Sequence, residues 1–444
     1  MANAFNFNGF TKDLERGLVV FNFSLENEGK KIEFQETLRF PTENIRPNFT
    51  QEALNRSLFS LHLILGISYW KLTCPKNIQI SENLLTENEA KFWNTVYTKG
   101  LGEFFYRSKI DFRGLINFSS NKTDSNPVAL GMQKGNLLGI GGGKDTVVAA
   151  EKLNEKKIPF DGFIVETQKD YDLNRELAKM LSTNTLYVKR IMDPKIFLLN
   201  KEPGFYNGHI PISAIYAFIG VVSSVLYGYE NIIVSNENSA DSGNVSYLGE
   251  EINHQWSKSS EFEKLLNNYL ASFISGDIKY FSVLRPYSEL RILSEFAKMK
   301  KYHSKFSSCN RNYAIKDELG NSRWCGKCPK CAFVFIGLSA FIDETEVISI
   351  FGKNMLENEK NLDAFKMLLG AVGNKPFECV GTSEETKTAF LLAKDRGNFL
   401  DSVIMKYFSS EVYPKISNAK QLIETTLNSY HDSIQIPEEF KNII

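Results

Sequence analysis

The sequence predicts an α/β protein whose central part is a parallel sheet wound on both faces by helices. Two observations support this prediction. Strand-like and helix-like segments alternate from about residue 130 to about residue 235, and three consecutive glycines connect the first strand of this series to its helix. Antiparallel strand patterns precede this part and helical patterns follow it. We therefore expect an N-terminal α+β domain at 1–127, the α/β domain at 128–345 and a helical C-terminal region at 346–444.

The N-terminal part begins with a hairpin pattern. Two β-rich runs, 17–24 and 31–40, are separated by a short polar segment, which is typical of two antiparallel strands. Helical spacing of apolar residues follows at 51–69 and 87–106. The polar turn formers at 121–127 mark the end of this domain.

The central and C-terminal parts contain one unusual segment. Residues 210–229 carry no charge over twenty positions, the length of a membrane span. Prolines, serines and glycines interrupt the segment and no basic residue flanks it, so we predict a buried helix. The other predicted elements of the central part are a helix from the glycines to about 156, a strand at 160–166, a helix at 174–182, and strands at 185–189 and 232–235. The predicted C-terminal helices are 344–351, 360–369, 383–394, 399–407 and 419–429.

Residues 138–147, Leu-Gly-Ile-Gly-Gly-Gly-Lys-Asp-Thr-Val, describe a strand-to-helix loop suited to phosphate. Glycines leave backbone N–H groups free to approach an anion, and the helix that follows points its positive end there. The spacing fits neither a Walker A loop nor a dinucleotide fingerprint. It resembles the pyrophosphatase-type loop (PP-loop), S-G-G-x-D-S, of enzymes that split ATP into AMP and pyrophosphate, with Gly141 and Thr146 in place of its serines. A glycine-rich turn that binds nothing is the alternative.

Composition narrows the possible partners. The chain has 52 Lys and Arg against 52 Asp and Glu, so it lacks the basic surplus that supports nucleic-acid binding, and we expect no nucleic-acid partner. The first residues show no export signal, and six cysteines in 444 residues do not form a disulfide framework. We expect a cytoplasmic protein with no membrane partner.

Four of the cysteines have the spacing of a metal site, C-x15-C-x2-C-x2-C. They are Cys309, Cys325, Cys328 and Cys331. Four thiolates with two tight chelating steps suit tetrahedral zinc, which would close the polar loop that contains residues 317–321. An iron–sulfur cluster held by three cysteines and a set of unmetallated thiols are the alternatives.

Polar residues cluster where strands are expected to end. Loops that combine amides with single charged side chains are typical of sites that orient polar ligands, although a solvated or turn-forming side chain is the alternative at each position. The candidate substrate-binding residues are His209, Asn236, Glu237, Arg285 and Arg311.

Several of these motifs together resemble one family. With the glycine loop they are Asn-Gly-His-Ile-Pro at 207–211, Ser-Asn-Glu-Asn-Ser-Ala at 235–240, Asn-His-Gln-Trp-Ser-Lys at 253–258, Ser-Cys-Asn-Arg at 308–311 and Cys-Gly-Lys-Cys-Pro-Lys-Cys at 325–331. The chain resembles the MurL family over nearly its whole length. Members of that family are UDP-N-acetyl-alpha-D-muramoyl-L-alanyl-L-glutamate epimerases of an alternative route to peptidoglycan precursors. Thr146 stands where the family usually has serine.

The resemblance implies an ATP-dependent isomerase that inverts the terminal L-Glu of UDP-MurNAc-L-Ala-L-Glu through an acyl-adenylate and releases AMP and diphosphate. It implies a UDP-muramoyl dipeptide as partner, and Mg²⁺ with ATP. The expected ATP-binding residues are Gly141, Gly142, Gly143, Lys144, Asp145 and Thr146, with Lys144 neutralising charge at the α-phosphorus and Asp145 placing the magnesium ion. The expected candidates for the α-proton base are, in order, His254, Lys258 and Cys379. The alternatives are a PP-loop enzyme that adenylates another carboxylate or a nucleobase, and a non-catalytic nucleotide sensor.

Overall fold

The structure is a computed structural model. It describes residues 2–443 except 28, 82–84, 122–125, 132–133, 168, 314–321 and 429–434. The strands in these residues are β1 (Ala4–Asp13), β2 (Leu18–Asn27), β3 (Lys30–Arg39), β4 (Asn77–Ile80), β5 (Asn136–Gly139), β6 (Asp161–Glu166), β7 (Thr185–Ile191), β8 (Asn231–Val234), β9 (Val245–Tyr247), β10 (Glu250–Ile252) and β11 (Lys279–Ser282). The helices are α1 (Gln51–Trp70), α2 (Glu87–Gly100), α3 (Gly102–Ser108), α4 (Lys144–Glu155), α5 (Asp172–Met180), α6 (Lys195–Leu199), α7 (Ile212–Tyr227), α8 (Ser260–Tyr269), α9 (Glu289–Phe296), α10 (Pro329–Ser339), α11 (Glu344–Phe351), α12 (Leu362–Leu368), α13 (Ser383–Asp395), α14 (Val403–Tyr407), α15 (Ala419–Asn428) and α16 (Glu438–Lys441).

Within the described residues, nine strands form one mixed sheet in the order β11-β8-β5-β6-β7-β3-β2-β1-β4. Neighbours from β11 to β7 are parallel, whereas β7, β3, β2 and β1 pair antiparallel and β4 is parallel to β1. The parallel sheet expected from the sequence is therefore confirmed for its central strands, and the predicted hairpin extends it. The sheet crosses the predicted boundary at residue 127, and the division into 1–127, 128–345 and 346–444 stays a prediction.

A buried ion pair fixes the N-terminal hairpin to the central strands. Arg190 on β7 donates from Nε to Glu36 on β3 over 2.5 Å, and both side chains are at most 1% exposed. Tyr69 of α1 donates to the same carboxylate over 2.8 Å. A charge taken out of water is tolerated only when it is paired in this way, so the contact specifies which strand the hairpin joins.

Helices cover both faces of the central strands. Leu137 and Ile232 lie in the apolar core that contains α1 and α7, whereas their neighbours Leu138 and Ile233 lie in the core that contains α4, α9 and α10. This alternation explains why consecutive positions of β5 and β8 are both apolar. α7 confirms the buried helix predicted at 210–229. Among the described residues, no helix is both long and apolar enough to cross a membrane.

The strand order indicates the edge of the sheet at which a ligand would bind. β5 lies between β6 and β8, so the chain leaves β5 on one side and returns on the other. Ligands of open α/β sheets bind at such a switch point, outside the carboxyl ends of the strands. The glycine loop follows β5 directly, and the polar residues after β8 and β11 lie at the same edge.

The predicted elements differ from the observed ones at a few places. The helix predicted at 87–106 is two helices, α2 and α3, which meet at Leu101, and α14 is shorter than the predicted 399–407. The elements that were not predicted are β1, β4, β9, β10, β11, α6, α8, α9, α10 and α16. Residues 122–125 of the predicted boundary and residue 429 lie outside the described residues.

Candidate functional site

The glycine loop is held in shape by two side chains from outside it. Tyr313 donates to the carbonyl of Gly141 over 2.5 Å, and Asn174 of α5 donates to the carbonyl of Ile140 over 3.1 Å. Gly142 has φ +76°, and a Cβ there would lie 2.3 Å from Tyr313 Oη and 2.5 Å from Asn174 Oδ1. Only glycine fits both this backbone conformation and this space.

The N-terminus of α4 has the features of an anion site. Gly143 is its N-cap and has no side chain to satisfy the first N–H groups of the helix. The buried Ser308 faces this point, because its Oγ lies 3.3 Å from where a Cβ of Gly143 would be. This hydroxyl has no hydrogen-bond partner among the described residues. Thr146 Oγ1 accepts from the N–H of Gly141 over 3.1 Å. Unpaired donors at a helix N-terminus favour a bound anion.

Lys144 and Asp145 form a buried charge cluster beneath the loop. Lys144 is fully buried and donates to Asp145 over 2.5 Å and to Glu289 of α9 over 2.9 Å. Burial lowers the pKa of Lys144, but Asp145 and Glu289 outweigh this and raise it. Burial raises the pKa of Glu289 to about 8, and its Oε2 has no hydrogen-bond partner among the described residues. At neutral pH the Lys144 ammonium therefore pairs with the ionised Asp145 and also donates to Glu289, and its expected contact with phosphate stays a prediction.

The three candidates for the base lie in one cluster with two further side chains. Lys258 Nζ donates to Cys379 Sγ over 3.4 Å, and His254 also acts on this thiol by lowering its pKa. The other partner of His254 is Glu103, which accepts from Nδ1 over 2.5 Å. His209 Nδ1 lies 3.4 Å from the same carboxylate oxygen. Segments far apart in the chain thus converge on one thiol.

The protonation states of this cluster favour Cys379 as the base. Burial raises the pKa of the Cys379 thiol, but Lys258, Lys330 and His254 outweigh burial and lower it to about 5. Burial lowers the pKa of His254, but Cys379 and Glu103 raise it to about 9. The pKa of Lys258 is raised, first by the Cys379 thiolate. At neutral pH these shifts favour a thiolate at Cys379 and protonated His254 and Lys258, and which of the three is the base stays a prediction.

Glu103, His209 and His254 also have the geometry of a metal site, because their ligand atoms lie within 4.8 Å of one another. The contacts of His254 favour a role other than metal binding. His254 is hydrogen-bonded by Glu103 through Nδ1, and the imidazole and the Cys379 thiol act on each other's pKa. The imidazole therefore couples a carboxylate to a thiol, and we call Glu103, His254 and Cys379 the relay.

Two lysines act on both the glycine loop and the Cys379 thiol. The Lys258 ammonium contacts Cys379 and also lowers the pKa of Asp145, after the larger effects of Lys144 and Lys330 and against burial, which raises it. Lys330, at the start of α10, is 8% exposed, and its charge acts on Asp145 and on Cys379 alike. The same two cations thus act on the glycine loop and on the thiol.

The four clustered cysteines fit a tetrahedral metal ion. The sulfurs of Cys309, Cys325, Cys328 and Cys331 lie within 4.8 Å of one another. The Cys325 and Cys331 sulfurs are 3.6 Å apart, close to the edge of about 3.8 Å that four Zn–S bonds of about 2.3 Å require. None of the four is disulfide-bonded. Residues 317–321, the polar loop expected to close over the site, lie outside the described residues. Since Lys330 lies between two of these cysteines, the cluster also fixes the direction in which Lys330 leaves α10.

The predicted substrate-binding residues have different surroundings. Arg285 is 2% exposed and donates to the carbonyls of Glu237 and Lys258 over 2.7 and 2.6 Å, so it braces the two loops of the site. Glu237 is buried, and its charge raises the pKa of Lys258 after the larger effect of Cys379. Asn236 accepts from Ser282 through its backbone carbonyl. Arg311 is half-buried in the turn Asn310–Tyr313. Their contacts with substrate stay predictions.

Four residues of the site were not identified from the sequence as site residues. They are Glu103, Glu289, Ser308 and Lys330. Ser308 and Lys330 lie next to predicted metal ligands, which was a usable signal. Glu289 follows the candidate Arg285 by four positions in the same polar segment. Glu103 begins a helix whose own sequence shows no recognisable chemistry, and only the folded chain brings it to the site.

Comparisons with known proteins agree with this description. The model of the MurL N-terminal domain matches residues 1–283, and that of the MurL C-terminal domain matches residues 305–423. Three curated proteins named UDP-N-acetyl-alpha-D-muramoyl-L-alanyl-L-glutamate epimerase are similar to the chain. The protein from Xanthomonas oryzae pv. oryzae is 37% identical over 82% of this chain and 80% of its own length. Those from a Micromonospora species and from Salinispora tropica are 34% and 33% identical over 91% of this chain, and over 90% and 87% of their own lengths.

Proposed function

The chain belongs to the MurL family, and we propose on this basis that it inverts the terminal L-Glu of UDP-MurNAc-L-Ala-L-Glu to D-Glu in the synthesis of peptidoglycan precursors. The observation that supports the chemistry most strongly is the position of Lys258, which contacts the Cys379 thiol while its charge also acts on Asp145 of the glycine loop. This position supports a proton-abstracting group near the candidate site of carboxylate activation.

We further propose that ATP activates the substrate at the glycine loop. An α-proton beside a free carboxylate resists removal, because the enolate would carry two adjacent negative charges. Adenylation of that carboxylate removes one of the charges and releases diphosphate. The open N-terminus of α4, the N–H groups of Gly142 and Gly143 and the unpaired hydroxyl of Ser308 would hold the phosphates.

Mg²⁺ fits the carboxylates beneath the loop. The unpaired Oε2 of Glu289 lies in the same charge cluster as Asp145, and one or two carboxylates together with substrate phosphates are the usual protein ligands of this ion. Bound Mg²⁺ would neutralise phosphate charge and make diphosphate a better leaving group. In this arrangement Lys144 keeps Asp145 ionised and oriented.

The proton transfer is assigned to Cys379. The thiolate accepts the α-proton and becomes a thiol, and the electron pair of the C–H bond moves into the carbonyl of the activated carboxyl group. The ammonium groups of Lys258 and Lys330 stabilise the thiolate form of Cys379 before the transfer. A proton that originates from solvent is delivered to the opposite face and inverts the α-carbon. Water hydrolyses the anhydride to AMP and the D-Glu product, and the Cys379 thiol returns its proton to solvent.

The four-cysteine cluster is proposed to hold one structural Zn²⁺. The sulfur positions fit the ion, and four thiolates leave no coordination position for substrate. The ion would fix the start of α10 and with it Lys330.

The proposed function is tested by the stereochemistry of the product. Purified protein with ATP, Mg²⁺ and UDP-MurNAc-L-Ala-L-Glu should convert the substrate to the D-Glu diastereomer, as measured by chiral analysis of glutamate after acid hydrolysis. The matched control is UDP-MurNAc-L-Ala, which lacks the reacting residue and should release no diphosphate. Diphosphate release without inversion would indicate a different adenylating enzyme, and ATP binding without turnover would indicate a nucleotide sensor.

A further inference from the structure

Glu103 occupies an unusual position for a residue of the N-terminal part of the chain. It lies in the first turn of α3, and its side chain is 8% exposed. One carboxylate oxygen accepts from Arg107 Nε over 2.6 Å, and the other accepts from His254 Nδ1 over 2.5 Å. Arg107 follows Glu103 by one helical turn, so the carboxylate is fixed from its own helix before it contacts His254.

We propose that Glu103 is a positioning residue that holds His254 in the orientation and charge state in which its imidazole faces Cys379. This inference rests on the proposed function, since it assigns how the thiolate of that site is maintained. The relay runs from carboxylate to imidazole to sulfur, and it joins α3 to the loop after β10 and to the segment before α13.

The chemistry follows from the order of the three groups. A carboxylate at one nitrogen of an imidazole fixes the tautomer and stabilises the imidazolium, and an imidazolium beside a thiol favours the thiolate. The raised pKa of His254, to which Cys379 and then Glu103 contribute against burial, agrees with this order. His209 lies beside the same carboxylate oxygen, but its pKa is lowered to about 4, by burial first and then by His254, so it stays neutral.

Other charged groups also face Cys379. Lys258 and Lys330 lower its pKa directly, while Glu378 lies next to it in the chain and Lys375 is on the same segment. The contribution of Glu103 must therefore be separated from theirs by an experiment in which only the relay changes.

The test is the pH dependence of alkylation of Cys379 in the full-length protein, measured with iodoacetamide and peptide mass spectrometry. Alkylation needs the thiolate, so the midpoint of the rate profile reports the thiol pKa. In Glu103→Gln we expect this midpoint to rise by about one pH unit, and in Glu103→Asp by less, because the charge is kept. Cys74 is an internal control, since burial raises the pKa of its thiol to about 12 and it lies outside the relay.

A double-mutant comparison makes the test specific. His254→Gln should raise the midpoint as well, and adding Glu103→Gln to it should cause no further shift, because Glu103 acts through His254. An unchanged profile in folded Glu103→Gln protein, or an equal additional shift in the His254→Gln background, would overturn the proposal. If Glu103→Gln does not fold, Glu103→Ala takes its place, and an unchanged midpoint in that variant while His254→Gln shifts it would overturn the proposal too. Alkylation needs no substrate, so its outcome is independent of whether the protein is an epimerase.

Discussion

Replacing Lys258 by methionine removes the cation that contacts Cys379. Lys258 Nζ lies 3.4 Å from the sulfur and is the strongest of the groups that lower the thiol pKa to about 5 against the opposing effect of burial. Without Lys258 the pKa should move toward its ordinary value of 9.0, although Lys330 and His254 remain. At pH 7 a thiol with a pKa of 5 is about 99% thiolate, and one with a pKa of 9 is about 1% thiolate. We therefore expect Lys258→Met to lower kcat/KM at pH 7 by about tenfold to a hundredfold.

The same reasoning predicts the pH dependence of the loss. The thiolate is present above the folded pKa and is lost as the pH falls through it, so raising the pKa moves the acidic limb of the kcat/KM profile upward. The assay is epimerisation measured from pH 5 to pH 9, and Lys258→Met should approach the activity of the unmodified protein near pH 9. Lys258→Arg, which keeps the charge, is the matched control and should retain most activity at pH 7. A loss of equal size at every pH would refute the reasoning, because it would mean that Lys258 acts other than by ionising the thiol.

The remaining predictions concern the loop and the metal cluster. Asp145→Asn should leave the fold intact but lower substrate-dependent AMP formation by about a hundredfold, because it removes one positioned charge. Near-normal AMP release would exclude the loop as the site of activation. Gly142→Ala should weaken ATP binding measured by calorimetry, since its Cβ would lie 2.3 Å from Tyr313 Oη; unchanged affinity would show that this loop conformation does not bind the nucleotide. Cys328→Ser should lower the melting temperature and the zinc content from about one equivalent per chain, and iron with sulfide in the unmodified protein would instead identify a cluster.

The sequence was sufficient for those parts of the fold whose pattern is local. The apolar helix α7 and the strand β8 follow from composition and periodicity, and the glycine loop is recognisable because phosphate binding requires a particular run of residues. The contact between β3 and β7 is different. It depends on Glu36 and Arg190, which are 154 positions apart and are ordinary charged residues until burial pairs them.

In the site, too, the sequence identified residues with local motifs but not the contacts between distant residues. His254, Lys258 and Cys379 were candidates because motifs contain them, but their order as bases depends on which charges surround each one. The protonation of Cys379 depends on Lys258, 121 positions away, and on Lys330, and no spacing rule indicates such distances. Glu103 lies in a segment whose sequence carries no chemical motif, so only its proximity to His254 identifies it.

Coupling of inversion to AMP formation tests the central claim most directly. The protein is incubated in deuterated water with ATP, Mg²⁺ and UDP-MurNAc-L-Ala-L-Glu. The amount of AMP formed is compared with the amount of D-Glu product that carries deuterium at its α-carbon, measured by mass spectrometry. Activation at the loop followed by deprotonation at Cys379 predicts that inverted product carries deuterium and that AMP forms with it, and that Cys379→Ser still releases diphosphate but neither inverts nor labels the substrate. Inversion accompanied by ADP and phosphate, or full labelling and inversion by Cys379→Ser, would contradict the account.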